Sequence, residues 1–126
     1  TGHGVGAYLC VHEGPQLISN IRRDPDVPLV AGMTTSIEPG YYEDGAFGIR
    51  IENVALVRAA ETEFAFEGMR CLAFEAVTMA PLQAKLIETA MLTRDERRWV
   101  DGYHAAVWEA LSPRLAPGPA RDWLRA

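Results

Sequence analysis

The chain of 126 residues carries a net charge of −5, with 48% hydrophobic and 23% charged residues. That size suits one domain or part of one, and the acidic balance leaves no basic footprint for nucleic acid. No apolar run approaches the ~18 residues of a membrane-crossing helix, so neither nucleic acid nor a membrane is an expected partner.

The first segment holds His3 among Gly2, Gly4 and Gly6. Either a flexible start or close backbone packing around an exposed imidazole explains those glycines. Ala7-Tyr8-Leu9-Cys10-Val11 is apolar and β-prone, and reads as a short strand ending at His12 before Glu13-Gly14-Pro15 turns the chain. Residues 21–28 are polar and hold two prolines, which predicts a surface loop. Gly32 to Glu38 has the β-branched content of a strand and stops at Pro39-Gly40. A residue before proline avoids the helical region, so Glu38 is expected extended at the strand's end.

Tyr41 to Phe47 reads as a tight connection, with Asp44-Gly45 as a hairpin-type turn. Gly48 to Arg58 then alternates as one strand. Ile49, Ile51, Asn53, Ala55 and Val57 share one face, and Arg50, Glu52, Val54 and Leu56 the other. An acidic loop over 60–68 and a strand over 71–78 follow. Cys10 and Cys71 lack CxxC spacing and read as small hydrophobes in or near strands, with a reducing cytoplasm as the default compartment.

From Pro81 the period changes. A short helix runs through Leu82, Leu86 and Ala90, and Thr93 to Glu96 forms a capping box. An amphipathic helix to about Ser112 carries Trp99, Tyr103 and Val107 as a core stripe and His104 as a solvated residue. Residues 120–126 form a final short helix with Trp123 and Leu124.

Two carboxylates stand out. Glu38 before Pro-Gly fits either an acid opening a turn or a ligand. Glu52, in the middle of an expected strand, is costly to bury unless paired or metal-bound, and Arg50 on the same face offers the plainer answer of a surface ion pair. His3 with these two acids makes one imidazole and two carboxylates, a donor set suited to Mn, Co, Fe or Zn. His12 is a second imidazole close in sequence.

Three stretches carry a family resemblance: TGHGVGAYLCVHEGP at 1–15, SIEPGYYEDGAFGIRIEN at 36–53, and the tail from Leu72 onward. They resemble the C-terminal half of the catalytic domain of the aminopeptidase P (Xaa-Pro aminopeptidase) family of pita-bread metallopeptidases. The resemblance implies an α+β fold: half of a pita-bread fold, a curved and mostly antiparallel sheet backed by helices. Residues 1–80 would be the C-terminal half of the catalytic domain and 81–126 a helical extension of it.

By the same resemblance, His3 and Glu38 bind one metal, Glu52 bridges two, and Glu38 also shuttles a proton. His12 would contact the substrate near the scissile carbonyl, and Arg50 would support the metal-site carboxylates. Two divalent ions are implied, manganese first, with cobalt or zinc as alternatives. The implied substrates are peptides with proline second, cleaved by a cytoplasmic, homodimeric parent. Two aspartates and a further histidine that the family places upstream of His3 have no counterpart in these residues. With Thr1 in place of an initial methionine, the expectation is a piece of a longer protein, inactive alone. A prolidase-like dipeptidase is the alternative enzyme. A non-catalytic pita-bread binding module, with Trp99, Trp108 and Trp123 at an interface, is the alternative outside catalysis.

Overall fold

The computed structural model describes residues 2–21, 24, 27–64 and 66–125. The chain divides into two compact units, Thr1–Thr78 and Met79–Ala126.

The first unit is built on strands β1 (Thr34–Ile37), β2 (Gly40–Glu43), β3 (Phe47–Arg50), β4 (Asn53–Ala60) and β5 (Cys71–Ala76). β1, β4 and β5 form an antiparallel sheet with β4 in the middle, while β2 and β3 pair as a separate hairpin. The hairpin is therefore an insertion between two strands that are neighbours in the sheet. Its turn falls at Asp44-Gly45: Gly45 has φ 70° and the Ala46 N–H donates to the Glu43 carbonyl at 3.0 Å. At the hairpin's base, the Ile51 N–H donates to the Pro39 carbonyl at 3.2 Å.

That insertion corrects one expectation. The run 48–58 is not one strand: β3 ends at Arg50, β4 begins at Asn53, and Ile51 and Glu52 lie in the break. The inner alternation survives in β4, where Asn53, Ala55 and Val57 are buried. Thr35 lies opposite Ala55 and Ile37 opposite Asn53, so β1 and β4 contribute to the same covered face.

A second correction concerns residues 7–11, which form no strand. Tyr8 takes a φ of 60°, and residues 5–12 are exposed. An apolar run becomes a strand only with a partner to receive its N–H and C=O groups. Here the loop is closed on itself instead, by the Gly4–Glu13 bridge and by the Cys10 N–H donating to the Glu13 carboxylate at 2.8 Å. Cys10 is accordingly an exposed loop residue rather than a packed one. Of the polar loop over 21–28, residues 22, 23, 25 and 26 lie outside the described residues, as does residue 65 of the acidic loop.

The second unit begins with two 3₁₀ turns, Ala84–Leu86 and Thr89–Met91, where a short α-helix is expected from the sequence. Helix α1 (Arg94–Leu111) follows, and α2 (Pro119–Arg125) comes after it. The α1 start is a complete capping box: Thr93 accepts from the Glu96 N–H and the Glu96 carboxylate accepts from Thr93. Of the aromatic stripe, Tyr103 and Val107 are buried, whereas Trp99 is 54% exposed and stacks on the Tyr103 ring. His104 is half-buried and not solvated as expected, because its Nε2 accepts the Leu82 N–H at 3.1 Å.

Candidate metal centre

The site lies where β1 ends, the hairpin is inserted and β4 begins. Registered pairs run from Thr34 opposite Leu56 to Ile37 opposite Asn53. One further step in that register brings Glu38 opposite Glu52, on the face that Ser36 and Val54 also occupy. The ladder itself stops at Pro39, which has no N–H to continue it. Two acids 14 positions apart in sequence (52 − 38) thus meet at one sheet end.

His3 reaches the same place because the segment from Gly2 to Val5 runs beside β1. The Ser36 N–H donates to the His3 carbonyl at 2.9 Å, and the Thr34 hydroxyl donates to the Val5 carbonyl at 2.8 Å. Gly2 has φ 74°, and a Cβ there would run into Ile18, so only glycine fits this approach.

Ligand-type atoms of His3, Glu38 and Glu52 all lie within 4.8 Å of one another. The His3 Nδ1 sits 2.9 Å from the Gly4 carbonyl, which can only accept, so Nδ1 carries a proton. Nε2 then faces Glu38 Oε1 at 3.0 Å. A second-partner hydrogen bond of this kind fixes the tautomer of a metal-binding histidine. One imidazole nitrogen held towards two carboxylates is a donor set that fits a divalent cation.

Glu38 is the buried member, its side chain 5% exposed. Its Oε1 accepts from the Ser36 hydroxyl at 2.8 Å, and its Oε2 pairs with Arg50 Nη1 at 2.9 Å. The Ser36 hydrogen bond is the main reason its carboxyl lies below the usual carboxylate range; burial opposes this, and Arg50 and His3 reinforce it. Arg50 is in turn steadied by its Nε–H donating to the Tyr42 hydroxyl across the hairpin at 2.8 Å. The ion pair therefore forms between Arg50 and Glu38. Glu52 is exposed, so the desolvation argument attached to it in the sequence belongs to Glu38 instead. His12 is exposed as well, with its ring edge-on to that of His3 at 5.2 Å between centroids.

Five of five sequence candidates, His3, His12, Glu38, Arg50 and Glu52, thus fall in one neighbourhood. Ser36 and Tyr42 were not among them, although both stand inside the same SIEPGYYEDG run. The Gly2 and His3 contacts of Ser36 come from a segment more than thirty residues away that no local spacing reveals, whereas the Tyr42–Arg50 contact spans only the hairpin that Asp44-Gly45 turns.

Against known proteins, residues 1–59 match the metallopeptidase family M24 and residues 70–126 match the C-terminal region of peptidase M24. The chain belongs to the M24 metallopeptidase family. It is 50% identical over 125 residues to Aminopeptidase P1 of Lotus japonicus and 55% identical over 125 residues to Aminopeptidase P1 of Arabidopsis thaliana. Each alignment takes in 99% of this chain and 19% of the relative. Among solved structures it resembles the X-prolyl aminopeptidase of Caenorhabditis elegans, described as a cytosolic enzyme with a di-nuclear active site. The TM-score is 0.79 at 34% identity, covering 99% of this chain and 20% of that one. The chain therefore spans about a fifth of the length of the relatives it matches, and its α+β fold is part of the pita-bread fold.

Proposed function

We propose that the full-length protein is a dinuclear Xaa-Pro aminopeptidase and that His3, Glu38 and Glu52 are three of its metal ligands. The observation that carries this reading is the convergence of one imidazole and two carboxylates within 4.8 Å in a chain of this family. The di-nuclear description of the nematode relative supports two ions. Manganese is our choice, with cobalt or zinc as alternatives. When bound, such ions lower the proton affinity of water and stabilise charge on a carbonyl oxygen.

The chain's own residues do the rest. Glu38 would accept a proton at a carboxylate oxygen from the water whose oxygen bonds to the scissile carbonyl carbon, and return it to the proline nitrogen as the Xaa-Pro C–N bond breaks. The products are the free N-terminal residue and a peptide beginning with proline. Arg50 keeps Oε2 of Glu38 in one orientation, and His12, exposed beside His3, contacts the substrate near the scissile carbonyl. Because the Xaa-Pro nitrogen has no hydrogen, recognition relies on a pocket shaped for the pyrrolidine ring.

Activity is expected of the full-length polypeptide rather than of residues 1–126 alone, since the family resemblance calls for two further aspartates and a histidine. A cytoplasmic location follows the description of the nematode relative, and no described helix is long and apolar enough to cross a membrane. The homodimer is checked by light scattering of the full-length protein. The test of function is hydrolysis of matched peptides with proline or alanine second, after chelation and again with manganese restored. Release of the N-terminal residue only from the proline peptide, and only with metal, is expected. Equal cleavage of both peptides, or cleavage that survives chelation, contradicts the proposal.

A further inference from the structure

We infer that Ser36 is a positioning residue of this centre, whose hydroxyl locks the Glu38 carboxylate and the His3 backbone into one arrangement and thereby sets cation affinity. The inference rests on the reading of His3, Glu38 and Glu52 as metal ligands.

Ser36 is fully buried, and every hydrogen-bonding option of its hydroxyl is in use. A serine hydroxyl has one proton to give and two lone pairs to receive. The Gly2 and His3 N–H groups donate to Oγ at 3.1 and 3.2 Å. With both lone pairs taken, the hydroxyl proton has one destination, Glu38 Oε1 at 2.8 Å. The Ser36 N–H also donates to the His3 carbonyl. His3 is thus held to Ser36 by backbone and side chain together, while the same side chain fixes the carboxylate oxygen that faces His3 Nε2 at 3.0 Å. One atom, Oγ, couples two proposed ligands that arrive from segments more than thirty residues apart.

A competing explanation is that Oγ does no more than satisfy two buried N–H groups, a purely structural task. Threonine and valine at this position separate the two. S36T keeps the hydroxyl, and S36V has nearly the same shape without it. The full-length protein is stripped with a chelator and titrated calorimetrically with manganese alone, and the melting temperature of the metal-free form is recorded alongside.

S36T is expected to bind manganese much like the unmodified protein. S36V is expected to bind about 10–100-fold more weakly, the loss typical when a partner that orients a metal ligand is removed. Equal affinity of S36V and S36T overturns the inference, as does a lower metal-free melting temperature in S36V with its affinity unchanged. Should S36V not fold, S36C, which keeps only a weak donor there, is compared with S36T instead. A loss of affinity supports the inference and parity overturns it. E52Q separates this from the underlying reading. If E52Q weakens binding while S36V does not, the inference alone fails; if E52Q binds manganese normally, the ligand assignment fails and the inference with it.

Discussion

Glu38 and Glu52 face each other across one step of sheet register, yet only Glu38 is buried. The difference comes from neighbours: Glu38 meets Ser36, Arg50 and His3, while Glu52 sits in the gap between β3 and β4. Thr35, one residue before Ser36, is 0% exposed on the opposite face of β1, and its hydroxyl has no partner among the described residues. Leaving a buried hydroxyl unpaired is unfavourable. Thr35→Val in the full-length protein is therefore expected to be neutral or to stabilise by up to about 1 kcal/mol, measured by denaturant unfolding. A loss of more than that would show that the hydroxyl has a partner. At this scale, the residue types around Glu38 left it open between an acid opening a turn and a ligand, and the family resemblance of the SIEPGYYEDG run singled it out. Ser36 was not legible, because its value depends on the Gly2 and His3 N–H groups, 34 and 33 positions away.

Local elements divide by how they are stabilised. The α1 capping box was readable because all of its parts lie within four residues, and the structure contains it as read. It also makes an acid-dependent prediction. The Glu96 carboxyl is held below its ordinary range, chiefly by accepting the Thr93 N–H and then by accepting the Thr93 hydroxyl. A carboxyl with a lowered folded value contributes stability above its unfolded value, about pH 4.3, and loses it as pH falls towards the folded one. Helix content followed by circular dichroism should therefore drop below about pH 4.3, with a shallower acid drop in Glu96→Gln. Thr93→Ala should cost about 1 kcal/mol at neutral pH. An unchanged acid profile in Glu96→Gln counts against this account of the cap. The strand over 7–11 and the single strand over 48–58 misread for the opposite reason. Both patterns are locally β-like, but the first finds no strand to pair with among the described residues, and the second is broken at Ile51 and Glu52, opposite Pro39, which has no N–H to give to the ladder.

On the scale of the whole molecule, the chain matches nearly its full length to relatives about five times longer. Its β2–β3 hairpin exposes Tyr41, Tyr42, Phe47 and Ile49, and an isolated two-stranded hairpin is marginal in water. Tyr41, Phe47 and Ile49 share one face of that hairpin, with Tyr42 on the other, and exposed apolar side chains grouped in this way call for a cover. Amides over 40–50 in the full-length protein are therefore expected to exchange slowly with deuterium, and fast exchange there would show the hairpin uncovered. The central claim is that His3, Glu38 and Glu52 form part of a working metal centre. Its most direct test is manganese-dependent release of the N-terminal residue from an Xaa-Pro-Xaa peptide by the full-length protein, beside its Glu52→Gln variant. The account predicts metal-dependent turnover that falls in the variant by at least the roughly 10–100-fold typical of losing a mere partner of a metal ligand, with unchanged circular dichroism. Near-normal turnover by Glu52→Gln would contradict it.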